Sequence, residues 1–434
     1  MPPESRSGER VALIAGCRTP FAKAGTVYRD LTAVDLARVC VRELVERSEA
    51  DPATIDTVVM GQVIPSVAAP NLAREVVLGT GLPVSIPAHT VNRACASAGE
   101  AIAEVVDSIR DGHARIGIAG GAESLSDVPI LHSRRMAKAL VEASKARSLG
   151  GKLKAFSKLR PKDLAPQTPA IAEPSTGLTM GQSAEKMAKE NAITRAEQDW
   201  IAYLSHRNAA AAMDDGRLPA EMCTVLLPPR YETVVNADNL IRRDTTPEVL
   251  AALPPVFDKK YGTVTAGNSS PLTDGAAAVL LMSESRAKEE DVEPLAFVRS
   301  WAVAAVDPGG QLLMGPGLAI PKALERAGLK LSDMDLIEMH EAFASQVASN
   351  IQALESPQWA KEKLGRNEPV GRVDRDKLNV MGGSIAIGHP FGATGGRILT
   401  TLVNELRRRD GQFGLMTVCA AGGMGHAMVV ERGR

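Results

Sequence analysis

The chain has 434 residues, of which 44% are hydrophobic, 23% charged and only 3% aromatic. This length exceeds one ordinary hydrophobic core and predicts two or three packed units, and the composition is that of a soluble globular protein. The net charge of −1 excludes a global attraction to nucleic acid or to membranes, so any electrostatic partner needs a local charged patch.

The cysteines exclude a disulfide framework. They stand at positions 17, 40, 95, 223 and 419 without a C-x-x-C pair, so neither bridges nor a cysteine zinc site is indicated. Residues 1–10 are polar, which is untypical of a signal peptide, and no run approaches the ~18 apolar residues of a membrane span. We therefore expect a cytoplasmic protein whose membrane contact, if it has one, is peripheral.

Strand-like and helix-like segments alternate along the chain and return a second time. The N-terminal part is expected to form strands at 11–15, 55–60, 115–119 and 276–282 and a helix at 35–47. Near the C-terminus, residues 295–298 correspond to 11–14 and residues 334–340 correspond to 55–61. A helix ending in Arg409-Asp410-Gly411 also repeats one ending in Arg110-Asp111-Gly112. This repetition indicates two related halves, each a mostly parallel sheet flanked by helices.

An insertion separates the two copies. It contains a basic helical part, one helix from about residue 183 to residue 216, and a proline-rich connector with Pro161, Pro166, Pro169 and Pro174. We predict an N-terminal half made of residues 1–125 and 255–290, an inserted domain at 126–254, and a C-terminal half at 291–434.

Cys95 is the first candidate for chemistry. It lies in Val91-Asn92-Arg93-Ala94-Cys95-Ala96-Ser97-Ala98-Gly99, between a strand and a helix, and the positive end of a helix dipole favours a thiolate. Taken alone, a cysteine in such apolar company is more often a buried hydrophobic residue. Three downstream segments favour a function: His340-Glu341-Ala342-Phe343, Gly388-His389-Pro390 and Cys419-Ala420-Ala421-Gly422-Gly423. Because all four follow predicted strands, two halves facing each other would bring them together.

These four segments, in this order, resemble the active-site motifs of the thiolases, and residues 263–270 resemble the coenzyme A segment of that family. The histidine at position 340 and the Cys419 turn are most similar to the β subunit of the trifunctional fatty-acid oxidation complex and its bacterial relatives. The resemblance implies an α/β thiolase fold, in which two duplicated βαβαβαββ-type halves form a five-layer αβαβα core with an inserted loop domain.

The resemblance also implies the roles of the site residues. Cys95 is the nucleophile, His389 is the base that takes its proton, and Cys419 is a second acid and base. His389 and a water held by His340 form one oxyanion hole, and the backbone N–H groups of Cys95 and Ala421 form the other. Many thiolases have glycine where Ala421 stands, so this donor requires that the backbone of Ala421 avoid a positive φ. The alternative for His340 is a core histidine, and the alternatives for Glu341 are to orient its neighbours or to cap a helix.

The coenzyme A residues are carried over in the same way: Ser270, Ala266, Phe257, Met180, Ala342 and Phe343 along the pantetheine arm, and Arg242 near the nucleotide end. The alternative for Phe257 and Met180 is ordinary core packing. Coenzyme A acts as a substrate, and the implied reaction uses neither a metal nor a redox cofactor.

The inserted domain carries a basic amphipathic pattern. Residues 132–162 hold ten Lys or Arg and one Glu, with apolar residues at helical spacing between the charges. This pattern favours contact with an anionic membrane surface or an acidic partner. The alternative is a solvated face whose apolar stripe packs on the body of the protein.

The resemblance implies a 3-ketoacyl-CoA thiolase of fatty-acid β-oxidation that works through an acyl-Cys95 intermediate. The alternative is an acetyl-CoA acetyltransferase that forms acetoacetyl-CoA with the same residues, and a remote alternative is a non-catalytic membrane-docking or scaffold subunit. A decarboxylating ketosynthase would require two histidines opposite the cysteine, and the presence of a second cysteine, Cys419, argues against this class. The implied partners are a second copy of the chain, in a homodimer or higher oligomer, and a hydratase/dehydrogenase α subunit.

Overall fold

The structure is a computed structural model that describes residues 8–166 and 171–433. Its strands are β1 Val11–Arg18, β2 Ala22–Lys23, β3 Thr57–Gly61, β4 Ala88–Val91, β5 Ile116–Glu123, β6 Val225–Leu227, β7 Thr233–Val235, β8 Thr273–Ser283, β9 Ala296–Ala305, β10 Leu336–Met339, β11 Phe413–Ala420 and β12 Met424–Arg432. Its helices are α1 Ala33–Ser48, α2 Leu72–Gly79, α3 Ser97–Arg110, α4 Arg134–Lys145, α5 Leu149–Phe156, α6 Met180–Glu190, α7 Arg195–Asp214, α8 Pro247–Ala251, α9 Glu284–Glu289, α10 Gly315–Ala327, α11 Ala344–Glu355, α12 Pro357–Trp359, α13 Ser384–Ile387 and α14 Thr394–Arg408. The ends of the predicted domains at 1–7 and 434, and Pro169 of the predicted connector, lie outside the described residues.

The two halves have the same strand order. The strand order is β4-β3-β5-β8-β1 in the N-terminal half and β10-β11-β12-β9 in the C-terminal half. The two halves are joined by the pairing of β1 with β9. In the C-terminal half, Leu378 forms a parallel bridge with Ile337 of β10. This bridge corresponds to the parallel pairing of β4 with β3 in the N-terminal half. The duplication is therefore present in the sheet itself.

The expectation of mostly parallel sheets was wrong. Strands β4, β3 and β5 are parallel to one another, as are β10 and β11, but β8 and β12 run antiparallel to both of their neighbours. The physical reason is clearest at β12, because only a short turn, residues 421–423, separates it from β11, and such a turn can only produce an antiparallel pair.

The helices and sheets form five layers, which confirms the αβαβα core. Helices α1 and α2 cover the outer face of the N-terminal sheet, where residues such as Leu36, Leu44 and Val76 are fully buried. Helices α3 and α14 pack together between the two sheets, and α10 and α11 cover the outer face of the C-terminal sheet. Within the described residues, no helix is both long and apolar enough to cross a bilayer.

The region between β5 and β8 contains α4 to α8 and the β6–β7 hairpin, and the bounds 126–254 for an inserted domain stay a prediction. The prediction of a single helix at 183–216 was wrong, because the chain forms two helices there, α6 and α7. Ala192 adopts a left-handed φ of 53°, and the Thr194 side chain caps the N-terminus of α7, so the helix is interrupted and restarted between them. The basic stretch likewise forms two helices, α4 and α5.

The two central helices meet at a pair of glycines. A Cβ added at Gly395 of α14 would lie 2.7 Å from the backbone nitrogen of Gly99 in α3. Backbone atoms cannot yield as a flexible side chain can, so this contact requires glycine. The helix N-termini that carry the candidate site are therefore held together by backbone packing.

We predict that Gly395→Ala destabilises the protein by about 1–3 kcal/mol, the usual cost of overpacking a core. The measurement is urea unfolding followed by circular dichroism. Gly150→Ala, in the exposed helix α5, is the matched control, since nothing lies within 4 Å of its added Cβ. Equal stability of the two variants would show that α3 and α14 can separate without cost.

Candidate active site

A thiol and two imidazoles lie together at the end of the central layer. The sulfur of Cys95 and one ring nitrogen each of His340 and His389 lie within 4.8 Å of one another, and the two ring centroids are 4.0 Å apart. Cys95 lies between β4 and α3, and His340 directly follows β10. His389 does not follow a strand as predicted, because the short helix α13 precedes it. The predicted convergence of these three residues is present, but the element that precedes the second histidine differs from the prediction.

The loop before Cys95 has a constrained backbone. Ala94 has a φ of 47°, a left-handed conformation that costs energy for a residue with a Cβ. Asn92 Oδ1 accepts the N–H of Ala94 at 3.0 Å, and Ser97 Oγ accepts the N–H of Arg93 at 2.9 Å. The Arg93 guanidinium also binds both carboxylate oxygens of Glu100 at 2.7 Å. These contacts hold the turn that aims the thiol into the site.

Burial determines the state of the Cys95 thiol. It raises the pKa of Cys95 to about 12, although the N–H groups of Ala421 and of Cys95 itself donate to the sulfur and lower it. The effect expected from the helix N-terminus is therefore outweighed by desolvation. Ala421 meets its predicted condition, since the left-handed conformations fall on Gly422 and Gly423, with φ of 80° and 72°. The alanine therefore presents its N–H to the sulfur.

Both histidines are neutral in the free protein. Burial and the nearby Arg397 guanidinium lower the pKa of His389 to about 3, and burial, with His389 and Arg397, lowers the pKa of His340 well below its usual value. Nδ1 of His340 contacts Ser384 Oγ at 2.8 Å, and Nδ1 of His389 contacts Thr394 Oγ1 at 2.6 Å. The Nε2 atoms of both rings are buried without a hydrogen-bond partner among the described residues.

Cys419 is the second thiol. It is the penultimate residue of β11 and not, as predicted, beyond the strand. Burial raises its pKa well above the usual value, and the proximity of Cys95 raises it further. The turn after it is fixed from outside, because Gly422 donates its N–H to Glu173 Oε2 at 3.0 Å. The two thiols therefore flank the turn that contains Ala421.

Glu341 fixes the position of its neighbours, in agreement with the orienting role considered from the sequence. Its buried carboxylate accepts the hydroxyl of Ser205 at 2.7 Å, the amide of Asn379 at 2.7 Å and the N–H of Ile385 at 3.2 Å. Ser205 belongs to α7, which lies between β5 and β8 in the chain. The loop of His340 is therefore tied to the region between β5 and β8.

The candidate coenzyme A residues are partly brought together. Met180, Phe257, Ala342 and Phe343 pack in the cluster that contains Cys419, with the rings of Phe257 and Phe343 edge to face at 6.1 Å. Ser270 joins them, since its N–H donates to the carbonyl of Ala342 at 2.9 Å. Ala266 is exposed in the same loop. Arg242 is exposed, and its backbone N–H donates to His206 Nδ1 at 3.1 Å, so its contacts lie elsewhere.

The sequence interpretation missed four supporting residues: Glu123, Ser384, Thr394 and Arg397. The carboxylate of Glu123 accepts the N–H groups of Val63, Ile64 and Gly392 at 3.0 Å each, which ties the His389 loop to β5. A signal was available for Thr394, because it follows His389 by only five residues, but the contacts of Glu123 and Ser384 join segments distant in sequence.

The cluster also has the donor types of a metal site, one thiolate and two imidazoles. The charge of the buried Arg397 guanidinium, which lowers the pKa of both histidines, disfavours a second cation at the same place. The donor set fits a proton-transfer role better than a metal-binding role.

The chain matches two family descriptions, the thiolase N-terminal domain over residues 11–285 and the thiolase C-terminal domain over residues 292–432. Proteins named 3-ketoacyl-CoA thiolase from Serratia proteamaculans and Klebsiella pneumoniae are each 52% identical to it over 431 residues, 99% of this chain and 99% of theirs. A human mitochondrial 3-ketoacyl-CoA thiolase solved in complex with CoA has a TM-score of 0.83 and 34% identity, over 98% of both chains. The acetyl-CoA acetyltransferase of Bacillus anthracis has a TM-score of 0.84 and 32% identity, over 98% of this chain and 99% of that one.

The duplicated five-layer fold, together with these full-length matches, defines an acyltransferase. The chain belongs to the thiolase family.

We predict that Cys95 carries no thiolate in the free protein near neutral pH. A pKa raised to about 12 keeps the proton on sulfur until strongly alkaline pH. The measurement is the ultraviolet thiolate absorbance of the protein minus that of Cys95→Ala, titrated with pH while circular dichroism checks the fold. A titration step near pH 7 would instead reveal a thiolate–imidazolium pair and contradict this prediction.

Proposed function

We propose that the chain cleaves 3-ketoacyl-CoA thioesters with coenzyme A, releasing acetyl-CoA and an acyl-CoA shortened by two carbons. The observation that carries this proposal is the convergence of Cys95, His340 and His389 within 4.8 Å, beside a second buried thiol at Cys419. Relatives that are 52% identical over their full length and named 3-ketoacyl-CoA thiolase support it.

In the first half-reaction, His389 takes the proton of the Cys95 thiol and the sulfur attacks the C3 ketone of the substrate. The bond between C2 and C3 then breaks, and its electron pair goes to C2 as the enolate of acetyl-CoA. The Cys419 thiol protonates that carbon, so acetyl-CoA leaves and Cys95 keeps the remaining acyl group as a thioester. Burial keeps the Cys95 thiol protonated while the site is free. The proton passes to His389, and the thiolate forms, only when a bound substrate can react with it.

In the second half-reaction, the Cys419 thiolate takes the proton of the coenzyme A thiol, whose sulfur attacks the thioester on Cys95. The bond between the acyl carbon and Cys95 breaks, and the leaving thiolate recovers its proton from the His389 imidazolium. Both thiols and the imidazole return to their starting states. The sequence of steps is a ping-pong transfer with an acyl-Cys95 intermediate.

Negative charge develops on oxygen in both half-reactions, and two sets of donors can stabilise it. The N–H groups of Cys95 and Ala421 already point at the sulfur, next to the position of an attached acyl oxygen. His340, with a water that it holds, offers the second set at its Nε2 atom. His389 joins this set once its own Nε2 has taken the proton of Cys95.

The pantetheine arm is proposed to run along Met180, Phe257 and Phe343, which line the cluster around Cys419. A coenzyme A thiol at the end of that arm would meet Cys419, the base that the second half-reaction requires. We keep Arg242 as the contact for the nucleotide end. No metal and no redox cofactor takes part in these steps.

The second candidate function is the condensing direction, the formation of acetoacetyl-CoA from two acetyl-CoA molecules. The similarity in fold to the acetyl-CoA acetyltransferase of Bacillus anthracis favours it, but the identity is lower, 32% against 52%. The remote alternative, a non-catalytic scaffold subunit, would not require two thiols beside paired imidazoles.

A homodimer is the proposed minimum assembly. Strand β4 is an edge of the sheet in the single chain, and Ala88, Thr90 and Val91 on it are only partly buried. Natural proteins rarely leave such an edge unpaired, so a second copy is the expected cover. A single-chain mass in sedimentation equilibrium would contradict this proposal. A hydratase/dehydrogenase α subunit is the proposed further partner, since its product would be the substrate of this site.

Contact with an anionic membrane is proposed for α4 and α5. Four of the apolar residues between their charges are exposed rather than packed on the body of the protein: Leu149 is 75% exposed, Leu153 66%, Val141 52% and Leu140 40%. Met136, Phe156 and Leu159 are partly buried. Only Ala139 and Ala143 of α4 are buried. Exposed apolar residues among ten cations match the interface of an anionic bilayer.

We predict CoA-dependent loss of 3-ketoacyl-CoA absorbance, faster with long acyl chains than with acetoacetyl-CoA and unchanged after chelator treatment. Cys95→Ser should reduce the rate at least about a thousandfold, because a hydroxyl is a far weaker nucleophile here. Cys223→Ala, a buried cysteine away from the cluster, is the control and should retain activity. Activity confined to the four-carbon substrate would favour the condensing enzyme, and no activity with any chain would favour the scaffold. The series is run with and without a candidate α subunit.

We predict salt-sensitive co-sedimentation with vesicles that contain anionic lipid. Changing six exposed cations of this region to Gln (Lys138, Lys145, Arg147, Lys152, Lys154 and Lys158) should weaken binding at least about tenfold, since each is worth up to about 1 kcal/mol at an anionic surface. The control changes six exposed cations elsewhere (Arg29, Lys288, Lys322, Lys330, Lys361 and Lys363). Equal binding by both variants would contradict the proposed membrane contact of α4 and α5.

A further inference from the structure

Each active-site histidine has one engaged nitrogen and one open nitrogen. Nδ1 of His340 is held by Ser384, and Nδ1 of His389 is held by Thr394. The open Nε2 atoms are buried, and a nitrogen of each ring lies within 4.8 Å of the Cys95 sulfur. Whether an Nε2 atom carries a proton decides whether that ring can act as a base or as a donor. The proton positions can be worked out from the hydroxyl groups behind the rings.

The hydroxyl of Ser384 has a single proton to give. Arg397 Nη2 lies 3.1 Å from Ser384 Oγ, and a guanidinium can only donate, so the oxygen accepts that bond. The hydroxyl proton is then left with one acceptor among the described hydrogen bonds, Nδ1 of His340. Ser384 is fully buried, and a buried proton without an acceptor is unfavourable. His340 is therefore unprotonated at Nδ1 and carries its proton at Nε2.

The hydroxyl of Thr394 faces the opposite situation. It donates to the carbonyl of Pro390 at 3.0 Å, which uses its only proton. Its oxygen can then only accept from His389, so Nδ1 of that ring carries the proton. Turning the hydroxyl toward Nδ1 would give up the bond to Pro390 and leave one hydrogen bond where two are possible. His389 therefore has a bare Nε2, which is buried without a hydrogen-bond partner among the described residues.

We propose that Ser384, supported by Arg397, and Thr394 are positioning residues that hold the two histidines in opposite neutral tautomers. His340 presents a proton to the substrate, and His389 presents a lone pair to Cys95. This inference rests on the proposed thiolase reaction, for which it assigns one base and one permanent donor.

The arrangement orders the chemistry. When the proton leaves the Cys95 sulfur, the electron pair stays on sulfur and a new N–H bond forms at Nε2 of His389. Only then do both rings present an N–H to the site. The histidine oxyanion hole is thus completed by the same proton transfer that creates the nucleophile.

The first test separates the base from the donor with Thr394→Val, which keeps the side-chain shape. Alkylation of Cys95 by iodoacetamide and thiolysis should both fall at least about tenfold, because the base loses its tautomer. Thr394→Ser should restore most of both rates. Thr400→Val is the matched control, since Thr400 lies on the same helix and donates to the Gly396 carbonyl four residues back at 2.9 Å without touching a histidine.

The second variant, Ser384→Ala, should behave differently. Its kcat for thiolysis should fall at least about tenfold, the usual result of losing an oxyanion donor. Cys95 alkylation should change by less than about twofold, because that reaction forms no oxyanion. Equal losses of both rates in Ser384→Ala and Thr394→Val would indicate a merely structural role and overturn the proposal. Thermal unfolding identifies any variant that does not fold.

A direct measurement does not depend on the variants of the hydroxyls. The ¹⁵N chemical shifts of the unaltered, histidine-labelled protein distinguish a protonated ring nitrogen from a bare one, with His340→Asn and His389→Asn used for assignment. Opposite tautomers support the proposal, and the same tautomer in both rings overturns it. If the shifts are opposite but no 3-ketoacyl-CoA is cleaved, the proposed function has failed and the tautomer assignment stands.

Discussion

Desolvation of a thiol between two imidazoles is the constraint on which the site depends. In water, a cysteine beside a histidine can exchange its proton at neutral pH, but burial here raises one pKa to about 12 and lowers the other to about 3. The buried charge of Arg397 acts in the same direction on the histidine. All reactive groups are therefore neutral at rest, and their reactivity depends on how they are oriented rather than on charges they already carry.

That orientation comes from contacts made outside the reacting atoms. The Cys95 turn is held by Asn92, Ser97 and the Arg93–Glu100 pair, and the His389 loop is held by Glu123 through the N–H of Gly392. The region between β5 and β8 contributes two further contacts, because Ser205 binds Glu341 next to His340, and Glu173 binds the turn after Cys419. Each half and this intervening region thus supply part of the support, and no one of them would form the site alone.

The sequence was sufficient to predict that Cys95, His340 and His389 meet, because these residues, like Cys419, occur in short motifs that carry their chemistry locally. The five layers were predicted from the resemblance of those motifs to the thiolases, whereas the repeat of strands and helices indicated only two related halves. The sequence was insufficient where long-range contacts or single dihedral angles determine the structure. The break between α6 and α7 depends on one left-handed residue, Ala192, and the support of His340 depends on Arg397, which lies in α14, far from His340 in sequence.

The duplication explains why a cysteine and a histidine meet. Helices α3 and α14 are the corresponding central helices of the two halves, and their N-termini adjoin at Gly99 and Gly395. Cys95 lies just before α3, and His389 lies just before α14, so a repeat of one structural unit places two different residues at the same point. A positive helix end stabilises a developing thiolate and disfavours a protonated imidazole. The histidine is thereby kept neutral and able to accept the proton. The two halves place Cys95 and His389 at corresponding positions, and these positions have different chemical roles because their side chains differ.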